Sequence, residues 1–413
     1  MRRDIILTFI TEFIVLVSGI LVYKLAANIL GTQGFSEYAL SRRTVSLIQP
    51  LLLMGLGVGI PRYIAYASAS LDNNRSDTYF IAGIITLVVT TLILMLTLNI
   101  FDDKFAFLLF GNSNYVYLIS PISLMLIGLI LHSSCYSFFR GKLNMVSANI
   151  LQIINMGIVP PIVFLFGKDT KQILLIGGIL WIVISVSFLV LILRKSTFKI
   201  VNLFLHTKEL ISYGLQRVPG DFAMAAILSL PAIFTAHISG VKEAGYVSFG
   251  ISLLNMVGAA FAPIGIILLP KASQLIASKD VNLLKDYVNK ILRITLSLTI
   301  VGIIIFEILA DRIINLYLGR NFFDIVLVVR IIMVASIAYA VYISMRSIID
   351  AYYVKAINII NIILCLLLFL GLSAIAVLFI TGYIYIVYCF VIALFLLGIL
   401  TLIETRKLLV QRQ

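Results

Sequence analysis

Apolar runs of about 18 residues or more recur along the whole chain, separated only by short polar stretches. In water such a chain would have nowhere to put its apolar side chains, and in a bilayer every backbone polar group must be satisfied within the protein. The sequence predicts an all-α polytopic membrane protein of about twelve spanning helices. Composition agrees: 62% of the 413 residues are hydrophobic and only 12% charged, too little charge to cover a soluble surface of this size.

The spans read as Ile5–Leu30, Tyr38–Ala67, Tyr79–Ile100, Val116–Phe139, Met145–Phe166 and Ile173–Leu193 in the first half. Those of the second half read as Leu210–Ile238, Gly245–Pro270, Ile291–Leu309, Phe322–Ile349, Ala356–Leu378 and Tyr383–Ile403. Pro160-Pro161 breaks the fifth span. The apolar stretch after Met1-Arg2-Arg3-Asp4 is longer than a signal-peptide core and has no clear cleavage site, so it reads as a retained first helix. A basic connector, Arg194 to Lys208, carries an apolar patch Ile200–Leu205 that suits an amphipathic helix at the interface. A polar connector runs from Lys271 to Lys290.

The net charge of +13 is explained by loop placement, without nucleic acid. With the N-terminus in the cytoplasm, most lysines and arginines fall at cytoplasmic ends, among them Arg62, Arg140, Lys142, Arg194, Lys199 and Arg406. The opposite turns hold only Lys104, Lys168, Lys171, Lys242, Arg312 and Arg320, which puts both termini inside. A weak repeat runs through the chain. Gly31 and Gly240 are 209 positions apart, as are Pro61-Arg62 and Pro270-Lys271, and Gly111 and Gly319 are 208 apart. Six spans separate each pair, so the repeat predicts two lobes, residues 1–199 and 200–413, of six helices each around a central cavity.

Candidate functional residues are the charges that fall at membrane depth, where each costs about 2.5–3.5 kcal/mol on insertion scales. Arg42 and Arg43 stand together in the second span. At about 100° per residue Arg42 and Gln49 share one helix face, with Ser46 between them, while Arg43 points about 100° away. The pair either lines a polar cavity or snorkels to the headgroups. In the first span Lys24 and Asn28 share a face, about 120° from Glu12. Glu12 either carries a coupling proton or Na+, or makes a structural hydrogen bond. In the seventh span Arg217 and Asp221 are one turn apart, with Pro219 between them. They form either a gating pair at a kink or a static ion pair. Glu307, Arg330 and the pair Arg346/Asp350 read as interfacial or interhelical contacts.

Several chemistries are excluded. Cys135, Cys365 and Cys389 lie in apolar runs and read as buried hydrophobes. His132, His206 and His237 have no metal-ligand spacing. The run G-L-G-V-G at Gly55–Gly59 lacks the strand, helix and Lys-Ser/Thr of a phosphate loop. No loop is large enough to form a catalytic domain, so the chain reads as a transporter without a cofactor, not an enzyme.

The stretch from Gly31 to Tyr38 (GTQGFSEY), the arginine-bearing second span, and then Pro50, Gly55-Leu56-Gly57 and Pro61-Arg62-Tyr63 resemble the start of bacterial polysaccharide-unit flippases of the Wzx type. These belong to the multidrug/oligosaccharidyl-lipid/polysaccharide exporter superfamily. The resemblance implies transfer of an undecaprenyl-diphosphate-linked oligosaccharide from the inner to the outer leaflet of the cell membrane by alternating access. It also implies membrane lipids and the polysaccharide polymerase machinery as partners, and Lys24, Arg42 and Arg43 as cationic substrate contacts. Some relatives carry a further arginine in the eighth span. Gly245–Pro270 has no charge, and Arg217 is the candidate substitute. The alternative is an ion-coupled multidrug or cation antiporter of the same superfamily, which would favour unpaired acidic residues.

Overall fold

The computed structural model describes residues 2–70, 73–195, 200–278, 281–353 and 356–410, all in helices and short connections. The chain forms two compact units, residues 1–222 and 223–413. The expected lobe boundary at 199/200 borders residues 196–199, which lie outside the described residues, as do Lys279, Lys355 and Arg412 of the loop-charge pattern. Among the described residues, ten helices are long and apolar enough to cross a membrane, or eleven if one bent pair is a single span. The first of the ten holds a 48-residue stretch, more than twice what a bilayer core of about 30 Å accommodates at 1.5 Å per residue. That helix, α1 (Arg2–Leu53), is interrupted at Gly31, whose φ of 65° and ψ of −169° are non-helical. Its two arms therefore supply the first two spans.

The first unit continues with α2 (Leu56–Ala69), α3 (Asn73–Ile100), the short α4 (Asp102–Phe110) and a 3₁₀ turn into α5 (Ile119–Gly141). The fifth span is a composite: α6 (Met145–Gln152), a π-helix Ile153–Ile158, α7 (Val159–Ile162) and a 3₁₀ turn Val163–Leu165. The π-helix closes with Val159 N–H donating to the Ile154 carbonyl, five residues back, just before Pro160-Pro161. The sixth span is α8 (Thr170–Lys195). It lies against α5 through glycines: a Cβ on Gly128 would come within 2.6 Å of Trp181 Cβ and 3.1 Å of the Gly178 carbonyl. Small residues that let backbones touch are the usual means of helix association in lipid.

Three features differ from the sequence expectation. The second span is not continuous from Tyr38 to Ala67. It breaks at Met54 and Gly55, both with positive φ, and α2 begins at Leu56. The interfacial helix extends well past the apolar patch, as α9 (Leu203–Leu215), and the seventh span starts only with α10 (Val218–Ser239). Pro219 therefore lies in the first turn of α10, where its missing N–H has no helical partner to lose, and it kinks nothing.

The second unit takes up α10 from Ala223 and adds α11 (Val241–Ala277), α12 (Val281–Leu318), α13 (Ile325–Val334), α14 (Ser336–Tyr352), α15 (Ile357–Phe379) and α16 (Ile384–Val410). Helices α13 and α14 form the bent pair, which turns by 42° at Ala335. Most of the Lys271–Lys290 connector is helical, because Leu275, Leu284 and Val288 turn inward onto Val341, Met345 and Ile348 of α14. Apolar side chains elsewhere face outward in bands, as with Leu92, Ile93 and Leu96 on α3, each more than half exposed and suited to lipid. The glycines of the repeat behave alike: Gly31, Gly111, Gly240 and Gly319 all adopt positive φ at helix ends or breaks.

Candidate functional site

The two arms of α1 bring Tyr23 and Arg42 together. The Arg42 guanidinium lies 5.9 Å from the ring centres of both Tyr23 and Tyr38. These rings meet edge to face at 6.4 Å, and Tyr23 packs on Phe35 and Tyr38 on Phe164. Tyr23, Phe35 and Tyr38 are all buried, so the charge rests on aromatic faces and on the Tyr38 hydroxyl. Among the described residues no carboxylate forms an ion pair with Arg42. Beside it is a cavity of about 20 Å³, lined in part by Tyr38, Arg42, Met125, Pro160 and Trp181, room for about one water. Ser46 does not face this space with a free hydroxyl, since it donates to the Arg42 carbonyl at 2.9 Å.

The other candidates are dispersed. Arg43, one step round the helix, is buried at 6% exposure. Lys24 and Gln49 are half-buried. Gln49 stands one turn before the break at Met54–Gly55. Glu12 is exposed on the first arm, and the charge that acts on it is Arg140 at the end of α5. Arg217 occupies the turn between α9 and α10, its carbonyl accepting from the N–H groups of Gly220 and Asp221 at 3.1 Å. Its side-chain Nε is buried without a hydrogen bond among the described residues, and the exposed Asp221 forms no ion pair with it within 4.0 Å there. Arg330 makes the interhelical contact expected of it, 2.6 Å to Asp311 and 3.7 Å to Glu307 on α12. Asp350 accepts from the Asn358 amide at 2.7 Å, tying α14 to α15.

Two groupings escaped the sequence reading. His132 on α5 is buried, with Nε2 3.0 Å from the Gln152 amide oxygen and Nδ1 3.2 Å from the Asn155 amide nitrogen. Asn155 donates onward to Ser185 at 3.0 Å, and its carbonyl accepts from the Trp181 indole at 2.6 Å. His132 also stacks on Tyr136 at 5.7 Å, over which Arg140 lies at 5.5 Å. A polar line thus runs from the charge that acts on Glu12 to the π-helix, and π turns often mark functional positions in helices. The polar residues inside three apolar spans were its visible signal. The second grouping docks α9. Tyr79 donates to Glu209, whose Oε2 is 3.2 Å from His206 Nδ1, and Arg62 lies over the Tyr213 ring at 4.8 Å. The Tyr79 bond, then the one to His206, holds the Glu209 carboxyl below its ordinary value of 4.5.

The architecture is that of an all-α, multi-pass membrane protein, and solved structures share its fold. An inward-facing multidrug resistance MATE family transporter of the multidrug/oligosaccharidyl-lipid/polysaccharide exporter superfamily superposes with a TM-score of 0.75 at 15% identity, covering 97% of this chain and 98% of that one. The lipid II flippase MurJ, in an inward closed conformation, gives 0.74 at 15% identity over 98% and 88%. The eukaryotic MATE transporter AtDTX14 gives 0.69 at 13% over 100% and 99%. By sequence, the chain belongs to the polysaccharide biosynthesis protein family, which matches residues 1–276. Among curated proteins, none matches by sequence.

Proposed function

We propose that the protein flips an undecaprenyl-diphosphate-linked oligosaccharide from the inner to the outer leaflet of the cell membrane, by alternating access, with both termini cytoplasmic. The observation that carries this reading is Arg42: a permanent charge at membrane depth whose described partners are aromatic rings and a phenol, not a carboxylate. Such a charge is held ready for an anionic group, and a guanidinium can bind diphosphate oxygens bidentately. Family membership supports a polysaccharide precursor as the cargo. The cavity beside Arg42 is far too small for a diphosphate, so in this reading the aromatic seat opens during transport. Arg43, Lys24, Gln49 and Arg217 complete the polar path, with the polysaccharide polymerase receiving the product. Glu12 and Asp221, both exposed carboxylates on spanning helices, are the proposed sites of coupling to H+ or Na+ or of gating.

The antiporter reading is favoured by one observation, the MATE-like fold. Depletion of the protein separates the two. A flippase requires loss of surface polysaccharide and accumulation of the lipid-linked sugar in the inner leaflet. Arg42→Ala and Arg217→Ala should insert normally and fail to restore export. Unchanged polysaccharide with heightened sensitivity to cationic compounds would establish the antiporter, and full export by both variants would remove the arginines from the path.

A further inference from the structure

A second cavity in the first unit is separate from the Arg42 seat. It has a volume of about 350 Å³ and opens where Gly31 interrupts α1, against the start of α8. Its volume falls within the range of small-ligand clefts, about 300–1,000 Å³.

Its lining has an unusual balance. Two acidic residues, Glu37 and Asp169, and two lysines, Lys168 and Lys171, share the lining, with the partly exposed Tyr117. Glu37 is only 9% exposed; its carboxylate accepts from the Gln33 amide at 3.3 Å and from the Tyr117 hydroxyl, and Gln33 also donates to the Tyr115 hydroxyl at 3.0 Å. Asp169 caps α8 through one oxygen, which accepts from the Gln172 N–H at 2.8 Å. The wall is fixed by Thr170, whose hydroxyl donates to the Gly34 carbonyl at 3.2 Å. A Cβ on Gly34 would come within 3.1 Å of that hydroxyl, so α1 and α8 meet closely here.

An anion would find two carboxylates in this space, and a cation two ammonium groups. Neither sign of charge is favoured. What matches is a neutral ligand that offers hydroxyl donors to the carboxylates, hydroxyl or amide oxygens to the lysines, and a C–H face to Tyr117. Ile29 and Leu30 supply an apolar edge for the same kind of face. We propose that this cavity is a glycan subsite that takes one or two neutral or N-acetylated sugar residues. Assigning that sugar to the transported oligosaccharide rests on the proposed function. The chemistry of the pocket does not.

The test uses the full chain purified in detergent, titrated with methyl hexosides, methyl N-acetylhexosaminides, inorganic diphosphate and putrescine, with binding followed by saturation-transfer NMR. At least one neutral glycoside should bind at about 10 mM or below, with no competition from diphosphate or putrescine. Glu37→Gln should weaken it about tenfold, and so should Lys171→Ala, a surface change that leaves the helix packing intact. Lys142→Gln at the other end of α5 should not. Absence of glycoside binding, preference for either charged probe, or affinity unmoved by both pocket variants would overturn the subsite. Binding is read on the isolated protein. Failure here with inner-leaflet accumulation on depletion would leave the flippase standing, and glycoside binding without that accumulation would leave the subsite standing.

Discussion

Replacing Gly214 by alanine should destabilise the first unit more than any conservative change on its surface. The α1–α2 break is closed by backbone rather than by side chains. A Cβ on Gly214 would lie 2.1 Å from the Met54 carbonyl oxygen, and one on Gly55 would lie 2.6 Å from the Gly214 oxygen. No side chain can swing away to relieve either clash. Overpacking of this kind costs about 1–3 kcal/mol. Gly55 also has a φ of 69°, which adds about 1–2 kcal/mol for an L-residue. Two glycines separate these contributions. Gly31, at φ 65° and ψ −169°, has nothing within 4 Å of a built Cβ, so alanine there should cost no clash but the strain of a region open almost only to glycine, about 1–3 kcal/mol. Gly57 is helical and its Cβ would touch only Leu53 Cδ1 at 4.0 Å, so alanine should be neutral or slightly stabilising. Thermal unfolding in detergent, followed by the fluorescence of the single tryptophan, Trp181, should place Gly57→Ala at or above wild type, Gly31→Ala and Gly214→Ala both below it, and Gly55→Ala lowest. At about 2–4 °C per kcal/mol, Gly55→Ala should lose roughly 5–15 °C. A Gly214→Ala protein melting with wild type or with Gly57→Ala would refute the clamp.

His132→Ala leaves the amides of Gln152 and Asn155 without their shared partner in a buried site, and should cost about 2–4 kcal/mol in the same melt. An unchanged Tm would show that the network contributes nothing to folding. In the second unit, Arg330→Gln removes the partner of Asp311 and Glu307 and, since all three side chains are a third or more exposed, should cost about 1 kcal/mol or less. The double variant with Asp311→Asn should recover part of the loss, and strict additivity would deny the pairing. Glu209 sets a pH dependence. Its carboxyl is held below 4.5 by the bonds from Tyr79 and His206, so its stabilisation is complete above that pH and lost as pH falls through the lower folded value. Acid melts should therefore be shallower below about pH 4.5 in Glu209→Gln. Identical acid limbs would exclude this role.

The spans were legible because their signal is local and additive: a run of apolar residues needs no tertiary information. The glycines at 31, 111, 240 and 319 were legible too, since a left-handed turn favours a residue without a Cβ. The break at Met54–Gly55 was not. It lies inside an unbroken apolar run, and its cause is the approach of Gly214, 159 positions later. Pro219 misled for a related reason, because proline ends a helix or begins one equally well and the apolar pattern of α9 runs straight into that of α10. At the site, helical spacing placed Arg42 on a polar face with Gln49 and Ser46. That the guanidinium would meet Tyr23 from the preceding arm depends on the angle set at Gly31, which no spacing encodes. His132 was passed over because its partners, Gln152, Asn155 and Ser185, come from spans that meet only after folding.

The π-helix at Ile153–Ile158 is in effect one surplus residue wound into the fifth span. Everything beyond it is about 100° out of phase with what precedes it, compared with an uninterrupted α-helix. Pro160 and Val163, which stand beside Arg42, owe their position to that offset. Deleting any one residue from 153 to 158 would let the α-ladder close and would swing this wall away, while Arg42 and both tyrosines stayed in sequence. Relatives that differ by a single insertion or deletion here would thus present another surface to the same arginine, and a gap-free alignment would compare residues about 100° apart around the helix.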